Sequence, residues 1–503
     1  MGIQLVDMLH NLQIGFTAAI TLQNLGFCLI GTLLGTLIGV LPGIGPLATI
    51  AMLLPITFEL NALSSLIMLA GIYYGAQYGG STTAILVNMP GESSSVVTCL
   101  DGYQMARNGR AGSALAIAAI GSFFAGCVGI LFIAAFAPTL ASVSQRFQSP
   151  EYFALMLFGL VAAVVLAHGS VTKALAMIVL GLSFGLVGTD VTSGTMRFTF
   201  GVSELFDGID FVTVAMGLFG LAEILRNLEQ KDQARQISTI GKLWPNRREM
   251  QQAWPAIIRG TALGSILGVL PGGGAILSSF ASYTLEKRIS ANPSAFGKGA
   301  VQGVAGPESA NNAGAQTSFI PLLTLGIPSN PVIALLMGAM IIKGIAPGTA
   351  VMVKEPTLFW GLVASMWVGN LMLIIINLPL IGLWVRLLRI PYRWLFPGIL
   401  VFCCVGVYSV GSSHVAVLLT AGFALLGYLA AKLGCECAPF LLGFVLGPLM
   451  EENLRRSMLL SDGDPLILIQ RPISAILIAA ALGLLVLTII PSIRKTREEA
   501  FQE

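Results

Sequence analysis

The chain predicts an all-α integral membrane protein, and three observations carry that expectation. Hydrophobic residues make up 55% of its 503 residues and charged residues only 10%, against roughly a quarter in soluble domains. Mean hydropathy is +0.85. Apolar stretches recur from one end to the other, punctuated by Gly, Pro and short charged loops. So few charges cannot cover a water-facing fold of this size, which excludes a soluble protein, a disordered chain and a nucleic-acid binder. At about 20 apolar residues per spanning helix, there is room for about 10 to 14 membrane segments.

Taken in order, the apolar segments fall near 14–40, 45–58, 62–88, 112–138, 153–170, 171–188 and 209–226. They resume near 257–285, 313–326, 331–352, 357–385, 395–411, 412–432, 438–450 and 466–490. Segments 45–58, 313–326 and 438–450 are shorter than the ~17 residues that cross the hydrocarbon core. They read as half-membrane pieces of re-entrant hairpins or broken helices. The first basic residue is Arg107, so no basic n-region marks a cleavable signal, and the first hundred residues read as retained structure. The seven cysteines at 28, 99, 127, 403, 404, 435 and 437 read as small buried hydrophobes. Cys435-Glu436-Cys437 has no second ligand pair at zinc spacing, so no resident metal or other cofactor is expected.

The net charge of +3 matters less than its placement. The long hydrophilic connection 226–259 carries Arg226, Lys231, Arg235, Lys242, Arg247, Arg248 and Arg259, which places it in the cytoplasm by the positive-inside rule. Arg386, Arg389 and Arg393 mark a second cytoplasmic connection, and Arg494, Lys495 and Arg497 put the C-terminus on the same side. The chain thus divides into a first membrane half (1–225), a cytoplasmic connection (226–259) and a second half with C-terminal helices (260–503).

The halves carry a repeat. GTLIGVLPGIGP (Gly35 to Pro46) matches GSILGVLPGGGA (Gly264 to Ala275) at seven of twelve positions. Gly75-Ala76-Gln77 is echoed by Gly314-Ala315-Gln316, and Pro90 in NMPGES by Pro328 in GIPSNP. The same order in both halves points to duplication. Leu-Pro-Gly-x-Gly after an apolar run breaks a helix, because proline removes a donor and glycine opens the backbone to close approach. Irregular backbone at membrane depth survives only where protein buries it or it lines a cavity. Paired breaks at matching positions therefore point to a transporter's substrate site; the alternative is a pair of loops at the membrane surface.

A second set of motifs is polar amid apolar surroundings. NMPGESSS (Asn88 to Ser95), GPESANNAGAQTS (Gly306 to Ser318) and GIPSNP (Gly326 to Pro331) offer amides, hydroxyls and the carboxylates Glu92 and Glu308. Neutral oxygens and amides can coordinate sodium or donate hydrogen bonds to carboxylates, and helix N-termini after the breaks would add N–H groups toward an anion. The same groups could instead glue helices together. Glu308 is the foremost ionisable candidate, with Glu92 its counterpart. His168 and His414 read as interfacial side chains, and Lys173 and Lys343 as snorkelling ones. GIGPLA (Gly43 to Ala48) fits GxGxxA but lacks the strand–turn–helix context of a dinucleotide site. No GxxxxGK[ST], HExxH or GxSxG occurs, so the chain is not read as an enzyme; an intramembrane enzyme is a distant alternative.

The stretch from Gly39 to Glu92 (GVLPGIGPLATIAMLLPITFELNALSSLIMLAGIYYGAQYGGSTTAILVNMPGE) resembles the large membrane subunit of the bacterial tripartite tricarboxylate transporters. So do GVLPGGGA (Gly268 to Ala275) and Gly297 to Pro331 in the second half. That resemblance implies ion-coupled uptake, by sodium or protons, of tri- and dicarboxylates such as citrate across the bacterial inner membrane. It implies a small membrane subunit of about four helices, a periplasmic solute-binding protein, and a homodimer of the complex as one assembly. It also implies inverted halves and an elevator-like motion, with hairpin tips at Pro42 to Gly45 and Pro271 to Gly274 and unwound segments at Asn88 to Ser94 and Asn311 to Asn330. The parity of spans between the repeats is open from sequence. A stand-alone carrier of another small organic anion is the runner-up.

Motifs and resemblance together put substrate binding on Pro42, Gly43, Gly45, Asn88, Pro90, Gly91, Ser93, Ser94, Pro271, Gly272, Gly273, Gly274, Asn311, Asn312, Gln316, Pro328, Ser329 and Asn330. Ion coupling is expected at Gly43, Asn88, Gly272, Glu308, Asn312 and Asn330. Bringing a trianion into an inside-negative cell costs ~7 kcal/mol per 100 mV, so at least three cations must accompany it to remove the penalty. No resident metal is expected beyond a transported sodium ion.

Overall fold

The computed structural model describes residues 2–41, 45–144, 146–166, 170–190, 193–229, 240–270, 274–388, 396–411 and 413–489. Pro42, Gly43, Pro271, Gly272, Gly273, His168, Lys231, Arg235, Arg389, Arg393 and the basic residues from Arg494 onward lie outside them.

The first half runs α1 (Gly2–Ala19), α2 (Leu22–Val40), α3 (Pro46–Leu53), α4 (Ala62–Val87), α5 (Val96–Met105), α6 (Ala111–Ser144), α7 (Ser149–Leu166) and α8 (Val171–Gly185). A two-residue antiparallel ribbon follows, β1 (Gly188–Thr189) with β2 (Met196–Arg197). Then come α9 (Phe211–Ala215), a π turn at Met216–Leu221 and α10 (Ala222–Glu229). The second half comprises α11 (Arg247–Leu267), α12 (Gly274–Ile289), α13 (Gln302–Thr317), α14 (Phe319–Leu325), α15 (Pro331–Ile342), α16 (Thr349–Lys354) and α17 (Pro356–Asn377). It closes with α18 (Ile381–Leu387), α19 (Phe396–Gly411), α20 (His414–Lys432), α21 (Cys437–Leu460), α22 (Ile467–Gln470) and α23 (Pro472–Ile489). Five helical stretches among the described residues are long and apolar enough to cross a membrane: Leu22–Val40, Ser93–Phe136, Phe211–Glu229, Pro356–Asn377 and His414–Lys432. Shorter apolar helices accompany them. The protein is an all-α membrane protein.

Several expected boundaries move for identifiable reasons. Segment 14–40 is two helices, because Thr21 leaves helical geometry and its Oγ1 accepts the Asn24 N–H at 3.3 Å, capping α2. Segment 257–285 divides into α11 and α12. Here α11 begins at Arg247, where Asn246 and Glu249 form a reciprocal capping box. Segment 438–450 is the first part of α21, which continues through Pro448 and the polar Glu451–Arg456 stretch for 24 residues.

Two helix pairs form the centre. Gly31, Gly35 and Gly39 on α2 meet the backbone of Met68, Ile72 and Ala76 on α4 so closely that a methyl group at any of them would collide. Gly260, Gly264 and Gly268 meet Gly306, Ala310 and Gly314 on or beside α11 and α13 in the same manner. Small residues every fourth position let helix backbones touch, and dispersion replaces the hydrophobic drive that lipid withholds. Within these pairs α4 is buried from Ser64 to Leu86 and α13 from Gly303 to Thr317.

The α13 result corrects an expectation. Asn311 to Asn330 is not unwound throughout: Asn311–Thr317 and Phe319–Leu325 are helical, and only Gly326–Asn330 leaves the helix. The amides stay helical because they bond one another and their neighbours. Asn312 Nδ2 lies 2.8 Å from Ser122 Oγ, 2.7 Å from Asn311 Oδ1 and 3.1 Å from the Glu308 carbonyl. Buried Asp101 ties α5 to the loop before α13. Its Oδ1 accepts the Gly299 and Ala300 N–H groups at 2.7 Å each, and its Oδ2 accepts the Tyr283 hydroxyl at 2.9 Å.

Candidate substrate cavity

Two short crossovers leave helical geometry in matched ways. The first follows α4: Asn88 takes the left-handed conformation (φ 56, ψ 36), Pro90 follows, and Glu92 is extended (φ −150, ψ 165). Glu92 caps the 3-10 turn Ser93–Ser95 that leads into α5. The second follows α14: Gly326 is left-handed (φ 70, ψ 29), Pro328 follows, and Asn330 is extended (φ −154, ψ 169). Asn330 Oδ1 accepts the Ile333 N–H at 3.0 Å and caps α15. Left-handed backbone stops a helix, proline prevents its resumption, and the extended N-cap starts the next one at an angle.

Both crossovers reach one cavity of about 660 Å³, a volume suited to a small organic ligand. Five helix starts line it: Gly45–Leu47 of α3, Glu92 and Ser93 before α5, Gly274–Leu277 of α12, Asn330–Val332 at α15, and Glu436–Pro439 of α21. Tyr73 and Gln77, one turn apart on α4, complete the polar face. The remaining wall comes from Leu218 and Phe219 of the π turn, Glu223 and Arg226 of α10, and the α20–α21 connection around Cys435–Cys437. Each helix N-terminus presents free N–H groups and roughly half a positive charge. The α3 terminus has no side-chain cap, so its N–H groups remain available to a ligand.

Side chains fix this face. Asn330 Nδ2 donates to Ser318 Oγ at 3.1 Å and to the Tyr73 hydroxyl at 3.3 Å. Ser94 Oγ sits between Gln77 Oε1, at 2.7 Å, and the Glu92 carboxylate. Gly91 is buried with Gly39 and Gly80 against its Cα, which lets this crossover lie on the end of α2. Arg226 is paired with Glu223 at 3.0 Å.

Of the residues singled out from sequence, Gly45, Glu92, Ser93, Gly274 and Asn330 line the cavity. Asn88, Pro90, Gly91, Ser94, Pro328 and Ser329 build the crossovers behind it; Ser329 Oγ donates to the Ser318 carbonyl at 3.2 Å. Glu308, Asn311, Asn312 and Gln316 are buried in α13 and are not among the lining residues. Pro42, Gly43, Pro271, Gly272 and Gly273 fall outside the described residues. Lys343 donates to the Phe58 and Leu60 carbonyls at 2.8 and 2.6 Å. Sequence reasoning missed Tyr73, Gln77, Glu223, Cys435 and Cys437 as cavity walls and assigned Arg226 to the connection. The i, i+4 spacing of Tyr73 and Gln77 within an apolar run was the available signal.

Fold and cavity define a polytopic helical membrane protein built around a chamber with the volume for a small organic ligand, largely apolar with one polar face. The sequence matches the Tripartite tricarboxylate transporter TctA family over residues 25–442, and the chain belongs to that family. It is 59% identical over 502 residues to an Agrobacterium vitis protein named as an uncharacterized 52.8 kDa protein in the TAR-I ttuC' 3'region, covering 99% of this chain and 100% of that one. A second A. vitis protein, from the TAR-II ttuC' 3'region, is 58% identical over 240 residues, which is 48% of this chain and 99% of the relative. No solved structure matches the chain.

Proposed function

We propose that this chain is the large membrane subunit of a binding-protein-dependent transporter that takes up tri- or dicarboxylates, citrate among them, in symport with sodium or protons. The observation that carries the reading is the convergence of five helix starts on one 660 Å³ cavity. An anion bound there meets backbone donors and dipole ends, and the lining cation Arg226 is already paired with Glu223, so the anion can be held and then released. The matched dihedral angles of the two crossovers and the matched glycine contacts of α2–α4 and α11–α13 support two duplicated halves. Equivalent positions differ by 238 at Asn88/Gly326, Pro90/Pro328 and Glu92/Asn330. Family membership supports a small membrane subunit, a periplasmic binding protein and an inner-membrane location. An elevator-like movement of the halves would carry the cavity across the bilayer.

The test is uptake of labelled citrate into proteoliposomes holding this chain and its small subunit, with and without binding protein and an inward sodium gradient. Uptake that needs both is the expected result. Sodium-driven uptake without binding protein would replace the tripartite reading with a stand-alone carrier. No uptake of any di- or tricarboxylate by well-folded protein would overturn the function.

A further inference from the structure

A second, much smaller space lies beside the α4–α13 contact. A cleft of about 10 Å³ is lined by Tyr78, Ser81, Thr82, Ser122 and Asn377, with Leu115 among its apolar walls. That is room for one water or one small dehydrated cation. The hydroxyl donors of its lining are engaged with protein acceptors: Tyr78 donates to Asn370 Oδ1 at 2.9 Å, Thr82 to the Tyr78 carbonyl at 3.3 Å and Ser122 to the Glu308 carbonyl at 3.3 Å. Asn377 is 4% exposed; its Nδ2 donates to the Leu373 carbonyl at 2.9 Å, which fixes the amide orientation, and its Oδ1 has no partner among the described residues. The single Ser81 hydroxyl proton faces two acceptors, Glu308 Oε2 at 2.5 Å and the Gln77 carbonyl at 2.9 Å.

Glu308 is fully buried. Its carboxylate is met by Ser81, Thr98 and, at 3.4 Å, Asn311 Nδ2. None of the described ion pairs includes it. A buried charge needs compensation, and a single carboxylate calls for one positive charge. Hard oxygen ligands in a one-water space favour a small hard ion over potassium, and the single charge argues against a divalent one.

We propose that this cleft is a sodium site, with the Ser81, Thr82 and Ser122 hydroxyl oxygens and Asn377 Oδ1 as ligands and Glu308 as the compensating charge one hydroxyl away. Its role as the coupling-ion site rests on the carrier reading given above; sodium binding itself does not. Gln77 links the two places, because its side chain lines the large cavity while its carbonyl faces Ser81. Thr98, on α5, holds the other Glu308 oxygen, so an ion here fixes the helix that leaves the Glu92 crossover.

The experiment uses the purified full-length chain and sodium chloride alone as the probe, against choline chloride and potassium chloride at equal ionic strength. Saturable binding of radiolabelled sodium is expected, with a sodium-specific rise in melting temperature. Asn377→Leu and Ser81→Ala should each weaken sodium binding at least tenfold while eluting as monodisperse protein, and Asn377→Asp should restore it. Ser122→Ala serves if Asn377→Leu does not fold. Unsaturable sodium binding, or unchanged affinity in the variants, overturns the site. So does stabilisation by acid instead of sodium that disappears in Glu308→Gln, since the compensating charge is then a proton. A sodium site without carboxylate uptake would overturn the carrier reading and leave the site standing; carboxylate uptake indifferent to sodium would do the reverse to its coupling role.

Discussion

The crossover at Asn88–Ser95 and the crossover at Gly326–Pro331 have nearly the same backbone and different chemistry at each matched position. Where the first has Asn88 in left-handed geometry, the second has Gly326; where the first has buried Gly91, the second has buried Ser329. Most telling, the N-cap is Glu92 in one and Asn330 in the other, and both line the cavity. A carboxylate cap cancels part of its helix's dipole, whereas an amide cap leaves it in place. On the carrier reading proposed above, the Asn330 face would favour an anion and the Glu92 face would oppose one. Backbone shape sets where the helices start, and side chains then divide the work between two sites of the same shape.

Exchanging the matched residues is the way to break this comparison. The largest expected effect is at Gly91. A methyl group there falls 2.6 Å from Gly80 Cα, so Gly91→Ala should cost about 3 kcal/mol of stability, read by denaturant titration of purified protein. Asn330→Asp puts a carboxylate on both faces and should weaken substrate binding at least tenfold, about 1.4 kcal/mol, with melting temperature little changed. Its reciprocal, Glu92→Gln, should tighten carboxylate binding; weaker binding would show that Glu92 is not the resisting face. Gly326→Ala should cost about 1 to 2 kcal/mol from left-handed strain, and more than Asn88→Ala. The added methyl at Gly326 also meets the Pro347 carbonyl at 2.8 Å. Ser329→Ala loses one hydrogen bond to the Ser318 carbonyl and should cost about 1 kcal/mol.

Much of the architecture was legible because a membrane protein advertises its lipid-facing surface through missing charge. The short α3 could be read from the Leu-Pro-Gly break before it, and both crossovers from Pro90 and Pro328. Asn330 was legible as the start of the next helix, because an amide soon after a proline break is a favoured N-cap. What escaped was determined by contact between distant segments. The resemblance implied unwound chain from Asn311 to Asn330, yet glycines on α11 and α13 bring the two backbones together and neighbours such as Ser122 satisfy the amides of Asn311 and Asn312. The echo of Gly75-Ala76-Gln77 in Gly314-Ala315-Gln316 misled by one residue, since Gly39 meets Ala76 where Gly268 meets Gly314. Glu223, Arg226 and Cys435–Cys437 become cavity walls only through the packing of α10, α20 and α21, which nothing in their own sequence announces.

The buried polar helix α13 has a consequence for biogenesis. It carries Glu308, Ser309, Asn311, Asn312, Gln316 and Thr317, all buried. A helix with a charged residue at its centre costs on the order of 3 kcal/mol to release into lipid, before its amides are counted. The segment therefore has no stable place in a bilayer until α6, α11 and α12 surround it. Since α6 was made long before, the translocation machinery must hold the emerging middle of the chain while the early helices wait to receive it. A topology reporter placed after Thr317 should read a settled position only when α6 is present in the same chain.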